Sequence, residues 1–443
     1  MTRLLFHSYH FPPIGGSGAQ RPLKMAIHLD RLGYTPIVVT GAGATADRWA
    51  PRDDTLLREI PRALTIHRLA PSAHAETSSR WRGRVERWLA MRSAWARWWI
   101  ASSAQLGVDA GKDVDLIYVW MQPYESAAAG AAISRALSRP WVADLGDPWA
   151  LDEMMVYPSA LHRKRELMRM RRSLSTASAI VMSTQEAARR LLQTFPELAD
   201  RPVVAIPNGY DAADFAGTPP SRSGDRFRIV HTGYLHTELG FQHRRRLWFR
   251  RVLRGSRPGL DILTRSHVYL LQALDRLLRS DASIAERLEF HLAGVLTPID
   301  EALARRSPVT RLHGYVSHAE SISLMRGADL LFLPMQNLPP GVRATIVPGK
   351  TYEYLASRRP LLAAVPDGDA RDILTAAGHA RLCRPDDVAG LAAAIASALA
   401  DHAAGHPPPS PNSEVVEQFE YGVLAAQLAG VFEEVLARPE RRQ

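Results

Sequence analysis

The chain has 443 residues, 46% hydrophobic and 23% charged, a balance that excludes a disordered protein and predicts two or three domains with separate cores. One cysteine excludes an internal disulfide and a cysteine-rich metal site, and no run of about 18 uncharged apolar residues is long enough to span a bilayer. Basic residues outnumber acidic ones, 55 to 45, for a formal charge of +10, and the surplus clusters in residues 80–97, 163–172 and 244–254.

The N-terminus carries one arginine and then Leu4-Leu5-Phe6, a strand near 3–8. That start is unlike a signal peptide and predicts a cytoplasmic protein. Phe11-Pro12-Pro13-Ile14-Gly15-Gly16-Ser17-Gly18 follows as a glycine-rich loop, and Leu23, Ala26, Ile27 and Leu29 then trace a helix. Such a loop lets backbone amides approach an anion or sugar hydroxyls. It is neither a Walker loop nor a dinucleotide fingerprint, because no Gly-Lys-Ser/Thr follows and Gly15, Gly16 and Gly18 miss the GxGxxG spacing. A second strand is expected at 36–40.

Residues 80–99 interleave Trp81, Trp88, Trp95, Trp98 and Trp99 with Arg82, Arg84, Arg87, Arg92 and Arg97. On a helix, Trp81, Val85, Trp88, Trp95 and Trp99 make one stripe, which suits either an anionic membrane interface or burial in a core. Further strands are expected near 114–120, 140–144, 178–182 and 202–206. Asp144 and Asp147 emerge where the strand at 140–144 ends, as hydroxyl-binding carboxylates or as caps of the next helix.

Pro207-Asn208-Gly209-Tyr210 reads as a turn between halves, followed by a Pro- and Ser-rich linker at 217–224. The second half offers strands at 227–232, 287–293, 328–333 and 360–365, with a helix resuming near Ser266. Residues 241–251 contain no acidic side chain and read as a basic insertion that either contacts phosphates or is simply solvated. The alternation of strands and helices predicts an α/β protein with parallel, doubly wound sheets. A proline run at 407–411 marks another boundary, and 414–436 is helical by pattern.

Val347-Pro348-Gly349-Lys350-Thr351-Tyr352-Glu353 is the most informative stretch, a loop that breaks into a helix with Lys350 and Glu353 on one face. Unpaired amides, the dipole end and Lys350 suit a diphosphate, and Glu353 suits ribose hydroxyls. The same residues are also compatible with an ordinary helix start bearing an i,i+3 ion pair.

Five blocks occur in order: FPPIGGSGAQRPLKMAIHLDRLGYTPIVVT, PWVADLGDPW, VVAIPNGYDAADF, IVHTGYL and VPGKTYEYLASRRPLLAAV. Together they span most of the chain, and the ordered set resembles the GT-B glycosyltransferases of the family 4 type, which are retaining and nucleotide-sugar-dependent. The resemblance implies two Rossmann-like domains facing a central cleft. Residues 1–207 would bind the acceptor, 208–408 the donor, and 409–443 would form a helical segment packing back on the first domain.

For the donor, the resemblance implies Gly15, Gly16, Gly18, Gly233, Arg265, Gly294, Tyr315, Val316, Arg343, Gly349, Lys350 and Glu353. For the acceptor it implies Tyr124, Glu125 and Asp147. Asp144 and Asp147 are the candidates to orient or deprotonate the acceptor hydroxyl, and Lys350 to neutralise the leaving diphosphate. Two positions depart from the family pattern: Gly146 stands where an arginine is usual between the aspartates, and Thr345 where the first of two glutamates is usual.

The expected reaction moves a sugar from a nucleotide-sugar to a hydroxyl of a glycan, lipid-linked or small-molecule acceptor, in cell-surface polysaccharide biosynthesis. No metal or cofactor is expected, because cations and amides replace them. Segment 80–99 would touch an anionic membrane at the inner face of the cell. Nucleic acid is not expected, since no recognised module accompanies the charge. The alternatives are a related sugar-nucleotide enzyme and a non-catalytic binding or scaffold protein on the same fold.

Overall fold

The computed structural model describes residues 1–43, 51–71, 91–218, 224–245, 253 and 255–438. It divides into two compact units, Met1–Asn208 with Tyr421–Gln443, and Gly209–Glu420.

In the first unit, β1 (Thr2–Ser8), β2 (Tyr34–Thr40), β3 (Thr65–Arg68), β4 (Leu116–Trp120), β5 (Trp141–Leu145), β6 (Ala179–Met182) and β7 (Val203–Ala205) form one parallel sheet in the order β3-β2-β1-β4-β5-β6-β7. Strand order reverses between β1 and β4, the place where such sheets open a crevice at their carboxyl ends. Side chains of β1 alternate across the sheet, with Leu4 and Phe6 in one core and Leu5 in the other. Both faces are covered, so the strand reads as a continuous apolar run.

The helix Tyr421–Ala437 completes one of those cores. Leu424, Leu428 and Phe432 pack there with Leu23 and Leu4, and the Phe432 ring meets Tyr34 at 5.6 Å and Tyr118 at 5.9 Å. The Tyr34 hydroxyl donates to the Ala429 carbonyl at 3.3 Å. The expected C-terminal helix 414–436 is two helices, Ser413–Glu417 and Tyr421–Ala437. The return to the first unit also comes later than the proline run, at Tyr421. Before that point the Asn412 amide donates to Ala377 and the Tyr210 amide to Phe419 O, while Phe419 packs on Tyr352 at 4.8 Å, which holds 412–419 in the second unit.

The second unit contains β8 (Phe227–Thr232), β9 (Leu288–Ala293), β10 (Thr310–Gly314), β11 (Leu330–Pro334), β12 (Leu361–Ala364) and β13 (Ala380–Cys383), parallel and ordered β10-β9-β8-β11-β12-β13. Its core joins Ile229, Phe290, Phe332 and Leu362 to Leu274 and Ile395 of the helices Val268–Ser280 and Val388–Ala403. Strands β3, β10 and β13 were not expected from sequence. Each is a sheet edge and only partly buried, so none carries an apolar run.

Two of the basic clusters lie partly within the described residues. In the helix Ala94–Ala110, capped by Ser93, Trp99 is buried against His7 at 5.0 Å and Tyr9 at 4.8 Å, and Trp95 meets Tyr9 at 5.3 Å. For Trp99 the core reading holds, and Trp95 is half-buried. Trp81 and Trp88, with the rest of 80–90, lie outside the described residues. The basic segment after β8 begins as the helix Thr237–Arg245, where Arg244 pairs with Asp261 at 2.5 Å; residues 246–252 and 254 lie outside the described residues.

Candidate functional site

In the second unit, β8 and β11 are neighbours at the reversal of strand order, and Gly233 follows β8 directly. Gly233 has φ of 106° and Gly294, after β9, has φ of 143°, a range in which L side chains are strained. The space is closed as well. A Cβ on Gly294 would stand 2.3 Å from the Gly233 carbonyl oxygen, and one on Gly233 would stand 2.8 Å from Lys350 Nζ. Glycine at both positions lets the ammonium lie against the turn.

Lys350 opens the helix Lys350–Ala356, and its Nζ lies 3.2 Å from His231 Nε2. Burial first and the Arg265 charge second, with Glu353 opposing both, lower the lysine to about 7. His231 is fully enclosed, with Nδ1 2.9 Å from the Phe332 carbonyl, and burial together with Lys350 holds the imidazole well below its usual value. The ring is therefore neutral: Nδ1 carries the proton and Nε2 presents a lone pair to Lys350.

Arg265 is half-buried, 3.4 Å from Gln336 Oε1, and acts on Lys350 as a second cation. On the same helix as Lys350, the Glu353 carboxylate lies 3.9 Å from His318 Nδ1, and His318 Nε2 lies 3.1 Å from Asp214 in the turn Ala212–Phe215. Two cations and one carboxylate thus converge from two elements, the helix Lys350–Ala356 and the loop ahead of the helix Val268–Ser280, a set suited to phosphate and hydroxyl groups. Tyr315 is exposed and Val316 half-buried in the loop that follows β10.

Several expected roles change. The amides of Thr351 and Tyr352 donate to the carbonyls of Pro348 and Gly349, so the first turn of this helix is less open to an anion than the sequence suggested. Arg343 is bound to Asp369 at 3.0 Å and Asp372 at 2.5 Å, where it faces the acidic first turn of the helix Asp369–Ala377 rather than standing open to a ligand. Thr345 is fully buried.

In the first unit, Asp144 lies within β5 and is fully enclosed. One of its oxygens accepts from Arg21 Nη2 at 2.9 Å and Nε at 3.1 Å and from the Tyr118 hydroxyl at 2.5 Å. Burial raises the carboxyl, and Arg21 and Tyr118 pull it back down. Arg21 also donates to the Pro207 carbonyl. The expectation that Asp144 serves as an acid or base is corrected here: it is tied into a buried ion pair. Asp147 is half-buried and accepts from Gln122 at 3.0 Å.

Gly146 has a steric cause. A Cβ there would stand 2.4 Å from Trp120, whose indole also donates to the Gly18 carbonyl at 3.2 Å. An arginine at 146 has no room, and Arg21 comes instead from the helix Ser17–Arg31, its guanidinium 5.5 Å from the Trp120 ring centre. Gly15 donates its amide to Pro51, Gly16 takes φ of 80°, and Gly18 lies under Gln122. Tyr124 stacks on Trp149 at 5.1 Å, and burial, followed by Asp147, Asp152 and Tyr157, holds its phenol well above the usual value. Burial also raises the Glu125 carboxyl. Gly18, Gln122, Tyr124, Glu125 and Asp147 thus gather beyond the carboxyl ends of β1, β4 and β5. The three glycines belong to the first unit, whereas Gly233, Arg265, Gly294, Gly349, Lys350 and Glu353 belong to the second.

Sequence reasoning missed His231, His318, Asp214 and Arg21. His231 carried a signal, a lone imidazole in the apolar strand Ile229-Val230-His231; the others required the fold.

Residues 262–401 match the family model described as Glycosyl transferases group 1. No curated protein matches. Among solved structures, a UDP-forming α,α-trehalose-phosphate synthase from Burkholderia vietnamiensis aligns over 99% of this chain and 100% of its own, with a TM-score of 0.65 and 16% identity. Sucrose-phosphate synthase from Thermosynechococcus elongatus aligns over 99% and 100%, with a TM-score of 0.63 and 14% identity. Anabaena HepE in complex with UDP and glucose aligns over 98% and 100%, with a TM-score of 0.59 and 15% identity. Residues 262–401 are thus similar to the glycosyl transferases group 1 family, within a chain whose two parallel sheets have the GT-B fold.

Proposed function

We propose that this chain is a retaining glycosyltransferase of the family 4 type that moves a sugar from a nucleotide-sugar to an acceptor hydroxyl. The observation that carries the reading is the Lys350 ammonium against the Gly233–Gly294 turn, with Arg265 beside it and Glu353 on the same helix. Lys350 and Arg265 neutralise the departing diphosphate, and Glu353 receives the ribose hydroxyls. No metal ion is required in this scheme, because two cations and the turn carry the charge. In the first unit Asp147 and Glu125 are the groups that meet the acceptor, Asp144 being enclosed. The acceptor is a glycan, lipid-linked or small-molecule hydroxyl in cell-surface polysaccharide synthesis, reached at the cytoplasmic face of the membrane.

The test is thermal melting of the wild type and Lys350→Ala with UDP, GDP, dTDP, CDP and ADP. A nucleotide at about 100 times its Kd adds roughly 2.7 kcal/mol to the native state. Stabilisation by one of them, lost in the variant, supports the donor site and selects the sugars to assay for transfer and anomeric outcome. Silence with all five overturns it. Because Asp144 is sealed, a second reading is a sugar-nucleotide-binding protein without transfer; binding without turnover on any acceptor is its signature.

A further inference from the structure

His231 has no role in the family resemblance, yet its Nε2 lies within hydrogen-bond distance of the Lys350 ammonium. Its Nδ1 lies 2.9 Å from the Phe332 carbonyl, an atom that only accepts, which fixes the proton on Nδ1. Nε2 is then a lone pair, 3.2 Å from Lys350 Nζ, and the ammonium can only donate to it. Phe332 belongs to β11 and His231 to β8, so the pair of central strands at the reversal of strand order aims this lone pair. The ring is rigid, because it is fully enclosed and bonded at both ends.

We infer that His231 is a positioning residue that holds the Lys350 ammonium against the Gly233 turn, and thereby sets the pH range over which the site accepts a diphosphate. This rests on the donor-site reading and deepens it. The other groups facing the pair are Arg265 ahead of the helix Val268–Ser280, Glu353 on the helix of Lys350, and His267, whose Nε2 lies 3.0 Å from the Asp300 carbonyl. The Tyr234 backbone faces His231 as well. Burial and Arg265 drive a proton off Lys350 and Glu353 keeps it on; the His231 lone pair at 3.2 Å is a further acceptor that favours the ammonium. An incoming diphosphate adds negative charge and draws the proton back, so its affinity falls as pH rises through about 7.

Two substitutions separate the bonds. His231→Asn places an amide N–H where Nδ1 was, retains the bond to Phe332 and removes the acceptor facing Lys350. His231→Gln reaches further and returns an oxygen towards Lys350. The protonation of Lys350 is read without any ligand, from the pH profile of its acetylation by acetic anhydride, quantified on the peptide carrying it by mass spectrometry. The wild type should show a midpoint near 7. In His231→Asn the midpoint should drop by roughly one unit, and in His231→Gln it should return towards the wild type.

The second measurement is binding of the same five nucleoside diphosphates at pH 6, 7.5 and 9, where His231→Asn should lose about tenfold in affinity at pH 7.5, as for a lost hydrogen bond to a charged group. An unchanged labelling midpoint in His231→Asn, or a wild-type midpoint near that of a free lysine, overturns the role of His231 even where a nucleotide binds. A shifted midpoint with no binding of any of the five leaves that role standing and overturns the donor-site reading.

Discussion

Arg21 and Asp144 form an ion pair enclosed in the first unit, 1% and 0% exposed, with both guanidinium bonds ending on the same carboxylate oxygen. Such a pair is weak evidence for net stability, since two charges leave water to make it. What it does is lock β5 to the helix Ser17–Arg31 and, through the Pro207 carbonyl, to the end of the unit.

Breaking one partner strands the other. Arg21→Met should cost roughly 3–5 kcal/mol in urea unfolding, whereas Arg21→Met with Asp144→Leu should lie closer to the wild type than either single variant. A double variant worse than both singles would contradict a merely structural pair.

Trp120 explains the missing motif arginine and can be tested through Gly146. Gly146→Ala drives a Cβ to 2.4 Å from the indole, and overpacking of this kind costs about 1–3 kcal/mol. Trp120→Phe in the same chain should recover part of it, measured by the shift in Tm.

Lys350 makes the unliganded protein more stable as pH rises. Its folded value, about 7, lies below the ordinary value of 10.5, so between these the unfolded chain holds more protons than the folded one. Stability then climbs with pH across that window, with a slope of at most about 1.4 kcal/mol per unit from this group. Lys350→Met should flatten the rise and stabilise the unliganded protein below pH 7. Equal slopes in both proteins, from urea unfolding across pH 6.5–10.5, would show that the lysine is not depressed.

The C-terminal helix is structural for the first unit. Phe432 is fully buried between Tyr34 and Tyr118, and Phe432→Ala should cost about 3–5 kcal/mol through the cavity it leaves. Chemical denaturation followed by tryptophan fluorescence reports it, since Trp99, Trp120 and Trp141 are buried in the same unit.

By itself the sequence determined the two parallel-sheet units, because central strands covered on both faces must be apolar throughout, as Leu4-Leu5-Phe6 and Leu330-Leu331-Phe332 are. It also marked Gly233, Gly294 and Lys350, since turns after strands and a cation opening a helix are local signals. The edge strands β3, β10 and β13 stayed hidden, because half-buried edges need no apolar run. Only the tertiary structure decided which charges meet. Arg21 and Asp144 are 123 residues apart and Lys350 and His231 are 119 apart, and no spacing rule links side chains that strand order alone brings together. The same cause removed Asp144 from the candidate acids and bases and gave Arg343 its carboxylate partners: burial and pairing, which fix what a charged group can do, are properties of the packed fold and not of the residue.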